Sequence, residues 1–310
     1  MALASPIGRG NAIPTDGGMM DTNSPASSYV ARPLKAVRCS PNCFGQHLER
    51  PDGVVERMRM MDGTALAPMS ARVAAVNLLD SGGQGAFTDL NFGTELLRLV
   101  ASNPDTPRIV RAYRPEPTVA LSRRESLLPG FAAALTAAAS FGFTPVIRPT
   151  GGRAVAMDQS CLVIDVVERV PRLHEGNRVA YQEVAGALAS GLRSIGVDAI
   201  VGEVPDEFCP GEFSINARRE TKIVGISQRV IPGARLVSAM VAIGDPGILP
   251  EVLSEVNREL TFPWRVETFG AVESEVGIVD FDEVSRVLRA TLTPAGALTV
   301  GMHELMTRYT

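Results

Sequence analysis

The sequence predicts an α+β protein built from hairpins and helices rather than from repeating strand-helix units. Short apolar runs with strand character alternate irregularly with stretches of helical spacing. The last three of these runs before residue 245 follow one another at hairpin-like separations. A doubly wound nucleotide-binding fold would need a regular alternation of strand and helix, which this order lacks. With 310 residues, 45% of them hydrophobic, the chain can form one large domain or two modest ones.

The individual elements follow from local patterns. A first helix is predicted over Asp89–Val100, where leucine and valine recur at near-helical spacing. Proline opens the second helix and glycine ends it. Strands are predicted over Arg108–Tyr113, Thr118–Ser122, Thr144–Arg148, Cys161–Val167, Asp198–Val201, Glu212–Ala217, Lys222–Val230 and Ala234–Gly244, and further helices over Pro129–Ser140, Arg178–Ile195, 249–260 and 281–292.

The N-terminal region has a different composition. Residues 1–28 contain 17 Ser, Pro, Gly, Asn, Thr or Asp residues and no periodicity, so they cannot bury enough apolar surface to offset the entropy of ordering. We therefore expect a disordered extension over 1–70 and a folded domain over 71–310. Cys39, Cys43 and His47 have zinc-like spacing but no second ligand pair nearby, so no metal site is predicted.

Charge and cysteine content exclude several classes of protein. The formal net charge of −4 provides no global basic field for nucleic acid, so no nucleic-acid partner is expected. No segment is apolar enough to cross a bilayer, and four scattered cysteines indicate a reducing compartment, so we expect a soluble cytoplasmic protein without a membrane partner. Residues 215–235 contain five cations against Glu220, a local charge of +4 that suits an acidic partner or a solvated hairpin face.

Two segments contain residues of types that bind ligands or take part in catalysis. The first, "RPTGGRAVAMD", begins at Arg148 and includes Gly151, Gly152 and Arg153. Paired glycines let backbone N–H groups approach a ligand, and arginines bind phosphate or carboxylate. The same pattern is also typical of a tight turn with surface arginines. It is neither a phosphate-binding Walker loop nor a dinucleotide fingerprint.

The second segment contains Cys209, in "CPGEFSI", and Lys222, in "KIVGISQR". A loop cysteine beside a cation can act as a nucleophile, and a lysine that opens an apolar strand can bind an acyl carbonyl or a phosphate. Without other context, the simpler interpretation is favoured, in which Cys209 is a small buried apolar residue and Lys222 an ordinary strand-edge lysine.

Together these segments resemble the lipoate-protein ligase and octanoyltransferase family. "RPTGGRAVAMD" is similar to its lipoyl-binding signature, "KIVGISQR" to its lysine strand, and "ALSRRESLLPG" to the segment before the signature, with Ser122 in place of a glycine. The resemblance covers roughly residues 85 to 245. It implies a catalytic domain of the biotin/lipoyl ligase type, with mixed, largely antiparallel β-sheets wrapped by helices. It also implies an apolar acyl tunnel between the glycine loop and the lysine strand.

The resemblance assigns roles to individual residues. Cys209 and Lys222 are implied to be catalytic, with Cys209 forming an acyl thioester and Lys222 contacting the acyl carbonyl or a phosphate. Cys209 precedes Lys222 by 13 residues, similar to the position of the nucleophile in the cysteine-dependent octanoyltransferases. The residues implied to bind substrate are Arg148, Gly151, Gly152, Arg153, Ala154, Val155 and Gly225.

The family has two kinds of chemistry, and the sequence departs from both at Met157, where the family signature has histidine. An octanoyltransferase would take its acyl group from acyl carrier protein, deliver it to a lysine of a lipoyl-carrier domain and need no cofactor. A lipoate-protein ligase would instead need ATP and magnesium. A non-catalytic acyl-binding relative is a third reading. The glycine-arginine-glycine signature typical of biotin ligases does not occur.

Overall fold

The computed structural model describes residues 75–79, 82–173 and 175–309, which lie in one compact unit. The predicted extension over 1–70, with Cys39, Cys43 and His47, lies outside the described residues. The strands are β1 Ala75–Leu79, β2 Arg108–Tyr113, β3 Thr118–Leu121, β4 Thr144–Ile147, β5 Val155–Met157, β6 Cys161–Arg169, β7 Ala199–Val201, β8 Ile215–Ala217, β9 Thr221–Ile231, β10 Ala234–Ala242 and β11 Leu298–Gly301. The helices are α1 Ala86–Ser102, α2 Phe131–Ser140, α3 Asn177–Ser194, α4 Leu249–Glu259, α5 Val272–Val276, α6 Phe281–Leu292 and α7 Met302–Tyr309.

Among the described residues the strands form two sheets. The larger sheet has the order β11-β1-β2-β6-β10-β9-β8-β7, and the smaller has the order β4-β3-β5. β1 pairs in parallel with β11 and β2, whereas β2, β6, β10, β9, β8 and β7 form a continuous antiparallel series. The predicted α+β class with mixed, largely antiparallel sheets is confirmed.

Helices cover both faces of the large sheet. Along β6, Leu162, Ile164 and Val166 pack with α3 and α6, whereas Cys161 and Val163 belong to the cluster formed with α2, α4 and the small sheet. This alternation is the two-residue period of a strand. Because both faces are covered, β6 is an almost continuous apolar run, which is the pattern that made it recognisable from sequence.

A buried arginine connects α1 to the centre of the large sheet. Arg111 on β2 is 1% exposed and lies between Asp89 of α1, at 3.6 Å, and Asp165 of β6, at 3.2 Å. Its guanidinium also lies 3.9 Å from the centroid of the Tyr113 ring. Buried charges require such partners, so this cluster fixes the position of the helix that borders the site described below.

The structure differs from the predicted elements around the two informative segments, and it also contains β1, β11, α5 and α7, which were not predicted. The glycine loop, residues 148–154, does not connect β4 directly to β6. The three-residue strand β5 follows it and pairs with β3. The strand predicted from Glu212 begins only at Ile215, since the preceding residues belong to the segment 202–214 between β7 and β8, which we call the Cys209 loop. No helix among the described residues is long and apolar enough to span a membrane.

Candidate active site

The Cys209 thiol lies against the glycine loop. The backbone N–H of Arg153 donates to the Cys209 Sγ at 3.1 Å, and an Nη of Arg148 approaches it at 3.8 Å. The Cys209 backbone has a φ of +45°, a conformation that residues other than glycine rarely adopt. Backbone strain of this kind is typical of functional sites, where the surrounding structure holds an unfavourable geometry.

The thiol opens into an apolar cavity of about 260 Å³. This volume lies just below the roughly 300 Å³ lower end of sites for drug-sized ligands, so the cavity suits a slender apolar chain. Its walls come from the glycine loop, the Cys209 loop, α1, α3 and strands β5, β6, β9 and β10. Its apolar lining includes Leu90, Val155, Met157, Val163, Ile226 and Met240.

A buried ion pair shapes the Cys209 loop. Lys222 is 1% exposed, and its Nζ donates to Glu207 Oε1 at 2.9 Å and to the carbonyls of Phe208 and Cys209 at 3.0 and 2.7 Å. The Glu207 carboxylate also accepts from the Ser214 hydroxyl at 2.6 Å. Further bonds from the backbone N–H groups of Val204 and Gly211 bring both ends of the loop onto this one carboxylate.

The predicted site residues are largely, but not completely, brought together. Cys209 and five of the predicted substrate-binding residues line the apolar cavity. Lys222 does not line the cavity; the three N–H groups of its ammonium donate within the Cys209 loop. The five residues are Arg148, Gly151, Gly152, Val155 and Gly225.

Arg153 and Ala154 act through their backbone. Arg153 presents its N–H to the thiol while its side chain extends over the Phe262 ring, at 4.5 Å from the centroid. Ala154 is buried and donates its N–H to Glu125 Oε1 at 2.7 Å. Glu125 Oε2 accepts from the Ser122 N–H at 2.6 Å, so one buried carboxylate connects the glycine loop to the end of β3.

A second, basic cavity of about 790 Å³ adjoins the first across the glycine loop. Its only lining carboxylate is that of Glu125, which accepts backbone hydrogen bonds. Within the described part of the chain, none of the five arginines that line it has a carboxylate within 4 Å. We call this the arginine cavity; its arginines are Arg123, Arg124, Arg148, Arg153 and Arg229.

Three of the five cations in the basic patch predicted over residues 215–235 are paired with carboxylates. Arg235 pairs with Glu168 at 2.6 Å, and Arg218 pairs with both Glu220 and Glu275 at 3.3 Å. Lys222 is neutralised by its own buried partner. The glutamates at 168 and 275 come from distant parts of the chain, so a charge count over one segment could not detect them.

Three residues at the site were not predicted from the sequence. Glu207 and Tyr181 had no motif to mark them. Glu125 did have one, because Ser122 and Glu125 have the S-x-x-E spacing of a capping box and form its reciprocal hydrogen bonds. Tyr181 lines the apolar cavity, and its ring stacks on Phe213 with centroids 5.0 Å apart.

We expect Glu207→Gln to lower the free energy of unfolding by about 3–5 kcal/mol, because it leaves the buried Lys222 ammonium without its counter-charge. Urea denaturation measures the change. The matched control is Glu212→Gln, which breaks the exposed pair with Arg178 and should cost much less, because solvent screens an exposed ion pair. Equal losses of unfolding free energy in the two variants would contradict the stabilising role of the buried pair between Lys222 and Glu207.

Gly152→Ala should lower the free energy of unfolding by about 1–3 kcal/mol, because its φ of +106° is unfavourable for alanine. The new methyl group would also lie 2.9 Å from Cys209 Sγ and 2.5 Å from an Nη of Arg148. Gly151→Ala is the control, since nothing lies within 4 Å of its added carbon. Urea denaturation of both variants tests this difference, and a loss at position 151 as large as at 152 would refute it.

The two described cysteines should differ in reactivity. Burial raises the pKa of the Cys161 thiol to about 12, so below that pH this group stays protonated, whereas the half-buried Cys209 faces a cavity. Iodoacetamide reacts with thiolates, so at about pH 8 it should modify Cys209 and spare Cys161 in the folded protein. Peptide mass mapping reads the result, with urea-unfolded protein as the control in which both react. Modification of folded Cys161 at the rate of Cys209 would count against this expectation.

Comparison with known proteins gives a consistent picture. An octanoyl-GcvH:protein N-octanoyltransferase from Exiguobacterium sp. is 26% identical over 192 residues, which cover 58% of this chain and 67% of that relative. A lipoyl-GcvH:protein N-lipoyltransferase from Listeria monocytogenes is 27% identical over 154 residues, which cover 48% and 54%. The chain thus spans about half to two thirds of the length of these curated relatives.

The fold has solved counterparts. The structure is similar to lipoate-protein ligase A bound with ATP, with a TM-score of 0.57 and 22% identity over 76% of this chain and 93% of that one. The protein-family model described as the lipoyl protein ligase A/B catalytic domain matches residues 86–249. That match includes the glycine loop, the Cys209 loop and β9 in full. The chain therefore belongs to the family of the lipoyl protein ligase A/B catalytic domain.

Proposed function

We propose that this protein is an acyltransferase that moves an octanoyl or lipoyl group onto a specific lysine of a lipoyl-carrier domain through a thioester on Cys209. The observation that carries the proposal is the position of the Cys209 thiol. It lies at an apolar cavity, against the Arg153 N–H and near the Arg148 guanidinium. Hydrogen bonds to a charged acceptor are among the stronger ones, so these donors stabilise negative charge on the sulfur.

The reaction has two balanced steps. In the first, the Cys209 thiolate attacks the acyl carbonyl carbon, a new C–S bond forms, and the donor's bond to that carbon breaks as its leaving group takes up a proton. In the second, the amine of the acceptor lysine attacks the thioester and loses a proton. An amide forms and the Cys209 thiolate is released. Neither step consumes ATP.

The other predicted residues fit supporting roles in this scheme. Gly151, Gly152, Val155 and Gly225 line the space for the acyl chain, and Arg148 serves both the thiol and the arginine cavity. Lys222, predicted as a catalytic group, is proposed here to act by holding the Cys209 loop through the bonds described above.

The arginine cavity indicates the chemical class of the acyl donor. Guanidinium groups bind phosphate and carboxylate oxygens well, and five of them stand next to the glycine loop. An anionic carrier is therefore the expected donor. The sequence indicated acyl carrier protein, whereas the names of the relatives favour octanoylated GcvH, from which the first step would cleave an amide. The same arginines would also suit the phosphates of ATP in a ligase.

The test incubates the protein with an apo lipoyl-carrier domain and one of three donors: octanoyl acyl carrier protein, octanoylated GcvH, or octanoate with ATP and magnesium. Intact-mass analysis should detect an octanoyl adduct on Cys209 and then on the acceptor with one of the carrier donors. Cys209→Ala should lower the transfer rate by at least about 10³-fold.

Cys161→Ala is the matched control, because Cys161 lies in the core and should leave the adduct intact. Modification of the acceptor only with ATP, and undiminished in Cys209→Ala, would replace the transferase with a lipoate-protein ligase. Octanoate binding without transfer from any donor would indicate the non-catalytic relative.

A further inference from the structure

Tyr181 contributes an uncommitted polar group to the wall of the apolar cavity. The Tyr181 hydroxyl makes no hydrogen bond with any residue that the structure describes, although its ring is half-buried in the cavity wall. A Tyr hydroxyl in a buried setting usually finds a partner. An unused donor that faces a cavity is therefore a candidate contact for whatever the cavity holds.

The ring of Tyr181 is held against the loop that carries the thiol. It stacks on Phe213 with an interplanar angle of 10°, and Phe213 belongs to the segment that follows Cys209. Arg178, one helical turn before Tyr181 on α3, pairs with Glu212 and lies 5.3 Å from the centroid of the Phe213 ring. These contacts connect α3 to the loop that carries the thiol, so the hydroxyl and the sulfur are positioned by the same structural unit.

The Tyr181 ring and the Cys209 thiol line the same cavity. Burial raises the pKa of Tyr181. Because its pKa is raised, the hydroxyl stays protonated across the physiological range and remains a hydrogen-bond donor.

Several donors near the thiol are already in use. The Arg153 N–H is bonded to the sulfur, and one Nη of Arg148 is bonded to the Arg153 carbonyl at 2.6 Å, whereas the Arg148 Nε has no hydrogen-bond partner among the described residues. The Lys222 ammonium has three acceptors within the Cys209 loop. When a thiolate attacks an acyl carbonyl, however, the negative charge that develops on the carbonyl oxygen needs a donor of its own.

We propose that the Tyr181 hydroxyl donates a hydrogen bond to the acyl carbonyl oxygen as Cys209 attacks it, which makes Tyr181 a catalytic residue. This inference rests on the proposed function. The oxygen gains charge while the C–S bond forms and loses it when the leaving group departs. The hydroxyl keeps its proton throughout.

Tyr181→Phe tests this role, because it removes one oxygen and keeps the ring that stacks on Phe213. The rate of octanoyl adduct formation on Cys209 is measured in single turnovers, with octanoyl acyl carrier protein or octanoylated GcvH, whichever acylates the wild-type protein. We expect the maximal rate to fall about 10²–10³-fold. The donor concentration at half-maximal rate should be nearly unchanged.

Tyr309→Phe on α7, away from the cavity, is the matched control and should react like the wild type. Protection of Cys209 from iodoacetamide by octanoate should be the same in Tyr181→Phe and wild type, which confirms an intact cavity. An unchanged acylation rate in Tyr181→Phe, or a defect only in half-saturation, overturns this inference alone. Failure of the wild-type protein to form the adduct overturns the proposed function, and this inference with it.

Discussion

The ion pair between Lys222 and Glu207 is the constraint on which the candidate site depends. Burying two charges costs several kcal/mol per ion unless excellent geometry and further hydrogen bonds compensate. Here every ammonium donor has an acceptor, and the carboxylate accepts from two backbone N–H groups and a serine hydroxyl as well. Such a fully bonded centre defines one loop conformation, and Cys209 is part of that loop. The strained backbone at Cys209 persists because this network holds the residues on both sides of it.

The glycine loop is held by a second carboxylate in a different way. Glu125 has no cation close enough for an ion pair within the described residues and instead accepts the N–H groups of Ser122 and Ala154. Ser122, the residue that replaces a family glycine, thereby becomes part of the support for the loop. Two buried glutamates thus fix the two loops that meet at the thiol. Only one of them also neutralises a buried lysine.

Much of the fold could be predicted from the sequence because its central elements are periodic. β2 and α6 match their predicted bounds, and β6 and β10 are apolar runs covered on both faces. β5 was missed because its three residues directly follow the glycine loop, with no turn signal to separate them from it. The direction of the Lys222 side chain was not predictable either, since its partner lies 15 residues earlier with no motif around it. Motif spacing located the glycine loop and the Cys209 loop correctly. It could not identify the partners of the charged side chains, because those partners are distant in the sequence.

The positive φ of Cys209 has a consequence for how this position can change. Glycine adopts such a conformation without strain, and asparagine or aspartate does so more easily than cysteine. A change to glycine would therefore relax the backbone while removing the thiol. Folding stability and chemical reactivity oppose each other at this single residue. If the thiol were no longer needed, glycine at this position would relieve the backbone strain and leave the Arg153 N–H without its acceptor.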